Sequence, residues 1–309
     1  MRLELPPLSR RLAGIVLGVS LLSGCARSDD AANHAPEARL AGALLDMRLN
    51  EISGLAASSQ HRDTLWMLDD GGNPARLFAV STSGRRLATF GIEGVTKTDW
   101  EDLDAFEFKG KRYLLIADTG DNGGLRRSLQ LHVVEEPTTL ANARLKPVWS
   151  IAFRWPDGAR DCEAVAVDAE RGEILLISKK REPPELFVLP LQPPARELLT
   201  AKRIGLLAGI PAPDPEILRR HPRRARQDAL VTAASVSPDR TTLAVMTYRY
   251  LLLYPRAPHQ DWAAAVAASP RVSVLPWLPQ AEALGWSADG RSLYATGEFV
   301  PAPLYRITP

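Results

Sequence analysis

The 309-residue chain has almost no cysteine, only Cys25 and Cys162. Two thiols exclude a disulfide-stapled scaffold, and with Cys25 otherwise used no internal bridge is possible. No charge sign prevails, 38 Lys and Arg standing against 36 Asp and Glu. Loss of residues 1–24 would remove Arg2, Arg10, Arg11 and Glu4 and leave 35 of each sign. Nucleic-acid binding draws on a basic excess that displaces phosphate counterions, so no nucleic-acid partner is expected. There is no Gly-x-Ser-x-Gly elbow for a nucleophilic serine and no phosphate-cradling Gly-x-x-x-x-Gly-Lys loop. The five histidines, His34, His61, His132, His221 and His259, are too scattered for a zinc motif. The apolar stretch Leu12 to Leu22 is about eleven residues, too short to span a bilayer as a helix.

That stretch follows Arg10 and Arg11 and reads as a targeting segment, residues 1–24 forming a signal peptide. It runs into Leu22-Ser-Gly-Cys25, which resembles the lipobox of bacterial lipoproteins. The resemblance implies that Cys25 is lipidated with palmitate-type acyl chains and becomes the mature N-terminus. Several chains on one residue anchor stably where one would be marginal. By the same resemblance, Ala26 after the cysteine implies the outer membrane, with the protein facing the periplasm. Residues 25–39 are then the lipidated cysteine and a polar tether, and 40–309 a single folded domain.

From residue 40 the apolar segments are short, rich in Val, Leu, Ile, Tyr and Phe, and separated by Gly, Pro, Asp and Asn, the pattern of an all-β chain. The chain also matches itself. Segments starting at Glu51, Glu101, Glu163, Thr232 and Glu282 align, and each is followed by a second strand ending in polar residues. Those ends include Asp69-Asp70, Asp118-Thr-Gly-Asp-Asn122, Lys179-Lys180, Thr247-Tyr-Arg249 and Gly297-Glu298. Repeats of roughly 50 residues with four strands each are the mark of a β-propeller. Five blades are counted, with a sixth, degenerate one in residues 190–230 as the alternative. A spare strand at Ala43 to Asn50 is expected to pair with the last blade and close the ring.

In such a ring the start of each inner strand and the end of the next strand share one face. Glu51, Glu101, Glu163 and Glu282 would meet there with Asp70, Asp118 and Glu298, opposite Lys179, Lys180 and Arg249. Converging carboxylates repel one another, and a hard cation taking oxygen ligands would relieve them. On this reading Glu51, Asp70, Glu101, Asp118 and Glu163 hold a divalent ion, calcium being the natural candidate. Lys179, Lys180, Arg249, Glu282 and Glu298 then hold an unidentified small-molecule or protein ligand. The competing reading is architectural: each glutamate caps backbone amides or pairs with a cation. The Asp118-Thr-Gly-Asp-Asn loop has no glutamate at its twelfth position and is not an EF-hand.

The elements Glu51-Ile-Ser-Gly-Leu, Asp99-Trp-Glu101-Asp-Leu, Asp161-Cys-Glu163-Ala-Val and Ala281-Glu282-Ala-Leu resemble the blade motifs of exported bacterial propellers. The groups are those described as "esterase-like activity of phytase" and as SdiA-regulated. The resemblance covers about residues 40–309 and implies a five- or six-bladed propeller, with calcium in some readings. Thr232 departs from it, standing where the other repeats carry glutamate. Three functions stay open: cation-assisted ligand binding, metal-dependent hydrolysis of phosphoric or carboxylic esters, and an envelope interaction scaffold. Residues 219–226, RRHPRRAR, form a separate basic patch, and Cys162 is expected to be a small buried residue rather than a nucleophile.

Overall fold

Short β-branched and leucine-rich segments cannot bury both faces alone, and here they do so by stacking as five antiparallel sheets around one axis. The structure is a computed structural model and describes residues 37–194 and 197–309. The expected lipidation site and most of the expected tether lie outside these residues.

Blade 1 runs outward from Ile52–Ala57 through Thr64–Asp69 and Arg76–Ser81 to Arg86–Ile92. Blade 2 comprises Trp100–Phe108, Lys111–Asp118, Leu129–Glu135 and Trp149–Arg154. Blade 3 comprises Ala164–Asp168, Glu173–Ile177, Glu185–Pro190 and Lys202–Leu206. Blade 4 comprises Val231–Val236, Thr242–Thr247, Tyr250–Pro255 and Arg271–Val274. Blade 5 has three late strands, Ala281–Trp286, Leu293–Gly297 and Ala302–Thr308, and takes Glu37–Leu44 as its outermost strand. That pairing, Glu37 opposite Thr308 through Leu44 opposite Ala302, closes the ring. The closing strand lies earlier than Ala43 to Asn50, and Met47–Leu49 form a single 3-10 turn.

The described residues of 190–230 form no sixth blade. They hold the fourth strand of blade 3, a short strand Leu198–Thr200, and two short helices, Pro215–Arg220 and Pro222–Gln227. Asp214 caps the first helix by accepting from the Glu216 and Ile217 amides. Leu198–Thr200 pairs in parallel with the outer strand of blade 2, and Ala143–Leu145 does the same to the outer strand of blade 1. In blade 4 the corresponding connection is a helix, Trp262–Ala267, packed on the outer strand of blade 3. No helix among the described residues is long and apolar enough to cross a membrane.

Each pair of neighbouring blades encloses its own apolar cluster, five in all. Trp155 stacks edge-on against Phe153 and Phe187 between blades 2 and 3, and Trp66 against Phe90 within the cluster of blades 1 and 2. Near the axis five inner strands crowd one another. A methyl group on Gly54 would come within 2.7 Å of the Leu103 amide, and one on Gly285 within 2.6 Å of the Leu55 carbonyl.

Candidate metal and ligand site

The inner strands of blades 1, 2, 4 and 5 each begin with a register shift, at Ser53, Glu101, Thr232 and Glu282. A bulge leaves one residue without a cross-strand partner and turns its side chain out of the pleat. Glu163 occupies the same place in blade 3, one residue before its strand begins. Ser53, not Glu51, is therefore the structural equivalent of Glu101. Aligning the first repeat on its glutamate shifts it by two residues, because two acidic positions, two apart, both occur in the family of repeats. Glu51 instead matches Asp161 and Gln280: in each case the backbone carbonyl accepts from the amide at the end of the second strand, Asp70, Lys179 and Glu298.

These positions converge on an axial cavity of 310 Å³ whose walls include Asp70, Glu101, Glu163, Lys179, Lys180, Tyr248, Glu282 and Glu298. Two groups of carboxylates lie there, Asp70 with Asp99 and Glu101, and Glu101 with Asp161 and Glu163. Within each group one oxygen from every residue lies within 4.8 Å of the others. Glu101 belongs to both. Close approach is permitted by two glycines: a methyl group on Gly120 would fall 2.1 Å from Glu101 Oε1 and 2.4 Å from Asp99 Oδ2. One on Gly71 would fall 2.4 Å from Asp99 Oδ1.

The electrostatics follow from this crowding. Burial, then the neighbouring charge of Asp70, pushes Asp99 up to about 6. Burial pushes Glu163 up to about 8 against the pull of Lys179, and Glu101 is raised well above the usual carboxylate range by burial and by Glu163. Burial and the neighbouring Glu282 carry Glu298 up to about 8. Lys179 joins Glu163 through its Oε1 and donates to the Tyr248 hydroxyl at 3.1 Å, which donates to Glu282 Oε1 at 2.6 Å. Lys180 pairs with Asp161 Oδ2 at 2.8 Å and donates to Asn122 Oδ1 at 2.8 Å. Glu163 is 4% exposed, yet its Oε2 has no hydrogen-bond partner among the described residues. A buried carboxylate oxygen without a donor is costly, and a cation is one remedy.

Of the residues singled out from sequence, Asp70, Glu101 and Glu163 thus lie in the carboxylate groups, and Lys179, Lys180, Glu282 and Glu298 in the same cavity wall. Glu51 accepts from Asn73 Nδ2 at 2.6 Å and stands outside both groups. Asp118 is turned the other way: it takes the Thr98 amide at 2.9 Å and the Arg126 guanidinium at 2.6 Å. Arg249 lies in a neighbouring cavity with Arg224 and Trp277, 3.7 Å from Asp228. Cys162 is fully buried, burial raises its thiol strongly, and its carbonyl accepts from Thr119. Asp99, Asp161 and Tyr248 were not among the expected site residues. The repeated Asp-x-Glu of Asp99-Trp-Glu101 and Asp161-Cys-Glu163 carried the signal for the first two.

The donor set is all oxygen, which suits hard cations such as Ca²⁺, Mg²⁺ or Mn²⁺ and not zinc held by nitrogen or sulfur. Three carboxylates supply up to six oxygens, with water completing a calcium shell. Comparison with known protein families and with characterised proteins finds no match for this sequence.

Proposed function

We propose that the axial cavity binds a divalent cation on Glu101, Asp161 and Glu163, with Asp70 and Asp99 as a second carboxylate pair against Glu101. The observation that carries this is the buried, unpartnered Glu163 Oε2 inside a group of three converging carboxylates. The cation supplies positive charge that offsets the carboxylates and draws an anionic ligand to the same face. Lys180 is the side chain placed to meet that anion. It is 46% exposed and held at the rim by Asn122 and Asp161. Lys179 pairs with Glu163 and donates to Tyr248, which in turn holds Glu282.

The setting proposed for this binding is the periplasmic face of an outer membrane, with the chain anchored by lipid on Cys25; the lipobox-like Leu22-Ser-Gly-Cys25 supports it. Radiolabelled palmitate incorporation lost in Cys25→Ala tests that setting. Ester hydrolysis is the second reading, favoured by the adjacency of an acidic group and a rim cation. Release of phosphate or carboxylate from simple esters, dependent on the ion and lost in Glu101→Gln, would establish it.

The cation site is tested by melting the chelated protein and titrating back calcium, magnesium or manganese. A ligand bound only by the folded state raises stability with its concentration. A saturable rise for one ion that disappears in Glu163→Gln is expected. A melt indifferent to every ion would leave the glutamates as architecture and remove the proposal.

A further inference from the structure

A second concavity lies beside the axial cavity, between the outer edge of blade 3 and the two-helix insertion. It encloses 660 Å³, and Leu206, Leu207, Ile210, Pro213, Leu218 and Leu230 form its apolar walls. That volume is in the range of small-molecule sites, which combine apolar walls with a few placed polar groups. Lys179 and Leu230 line both cavities, so the two share a wall.

The polar groups along the shared wall are cationic. Lys179 and Lys180 face the axial cavity, and Lys179, Arg181 and Arg226 face the apolar one. Arg181 is 53% exposed and its nearest carboxylate, Glu185, is 3.8 Å away. Glu185 already holds Arg160 at 2.6 Å and Arg203 at 2.9 Å. Arg160 also has Asp157 at 2.7 Å, so two carboxylates serve three guanidinium groups and one positive charge is left over. Arg226 forms no ion pair with another described residue within 4.0 Å, and Glu182 is the only acid on the apolar cavity's own walls.

The helices that roof the cavity pack loosely. The first helix buries no residue fully and the second only Ala225. Leu218 and Leu230 are thus apolar side chains held half-exposed over a cavity rather than in a core. Apolar groups kept in this way gain when an apolar ligand displaces the water between them.

We propose that the two cavities form one two-part site for an amphipathic anion: an alkyl or aryl body in the apolar cavity, its phosphate or carboxylate head at the Lys179-Lys180-Arg181 edge. This deepens the anion-binding reading above and rests on it for the position of the head, while the apolar half stands on its own walls.

The test compares octyl phosphate below its micellar concentration, octanol and inorganic phosphate by calorimetry on the full chain, with the calcium melt run on the same sample. Octyl phosphate should bind at least tenfold more tightly than either octanol or inorganic phosphate. Leu218→Glu should remove the advantage over inorganic phosphate, and Arg181→Ala should reduce the advantage over octanol several-fold. Both substitutions lie on poorly packed surface, and an unchanged melting temperature certifies the fold. Equal binding of octyl and inorganic phosphate overturns the inference, even if calcium binds. An indifferent calcium melt with the octyl preference intact removes the cation reading and leaves this one. Binding to phosphatidylglycerol vesicles without binding to monomeric octyl phosphate overturns it in favour of a membrane-facing surface.

Discussion

Glu101 and Asp102 are neighbours on one strand and both are buried, yet they are treated in opposite ways. Asp102 points across the axis and accepts the Leu103 amide at 2.8 Å, the Val165 amide at 2.8 Å and, more weakly, the Ala234 amide at 3.4 Å. It thereby ties blade 2 to blades 3 and 4. Asp104, two residues on, repeats the pattern with Ala105 and Val167. Glu101 meets only other carboxylates and the more distant charge of Lys179. On this one strand, then, buried acidity is held in two ways: backbone donors make Asp102 a fastening between blades, whereas Glu101 stands among like charges that raise its affinity for protons.

The comparison is broken most severely at Asp102. Asp102→Leu strands the Val165 and Ala234 amides in the core and should cost about 2–4 kcal/mol, roughly 5–12 °C in melting temperature. Asp102→Asn retains an acceptor and should cost much less, and calorimetric melting of the two variants checks the difference. The second effect is on pH. Asp99, Glu163 and Glu298 have folded values raised above their unfolded ones, so the folded state holds more protons over this interval. The contribution of these groups is present below about pH 4 and is lost as pH rises through about 6 to 8. The chelated protein should melt lower at pH 8.5 than at pH 5.5, and a saturating cation should remove most of that fall.

A smaller effect is expected at Gly120. Gly120→Ala pushes a methyl group against the Asp99 and Glu101 oxygens and should weaken cation binding by about tenfold, equivalent to ~1.4 kcal/mol, as read by calorimetric titration. The smallest belongs to Glu51, which serves Asn73 outside both carboxylate groups. Glu51→Gln should leave cation affinity unchanged and alter stability by under about 1 kcal/mol. A large loss of affinity in this variant would move the first blade into the site.

The propeller was legible because alternation, turn residues and the repeat of polar strand ends are local properties of the chain. The closure was legible because a spare first strand and a missing last one are complementary. Register was harder to read. Ile52-Ser53-Gly54 and Trp100-Glu101-Asp102 become equivalent only through the bulge, and a sequence self-match anchored on acidity slides past it. Asp118 and Glu51 look like Asp70 and Glu101 in sequence. Their directions are decided by Arg126 and Asn73, which approach from other turns of the chain. The apolar cavity had no signature at all, since its walls come from loops, one strand edge and two short helices.

The borrowed segments give the ring an uneven seam. Residues 143–145 bind blade 1 to blade 2, residues 198–200 bind blade 2 to blade 3, and the helix Trp262–Ala267 clasps blade 3 from blade 4, its Val266 carbonyl taking the Ala208 amide. The first strand crosses from blade 5 to blade 1. Between blades 4 and 5 the described residues exchange no such segment. Contact there rests on one apolar cluster and on bonds such as Thr232 Oγ1 to the Ala281 carbonyl and Trp286 Nε1 to the Ser235 carbonyl. Four junctions are stitched and one is glued, so the circle has a preferred place to open, and Tyr248 and Glu282 face each other across it.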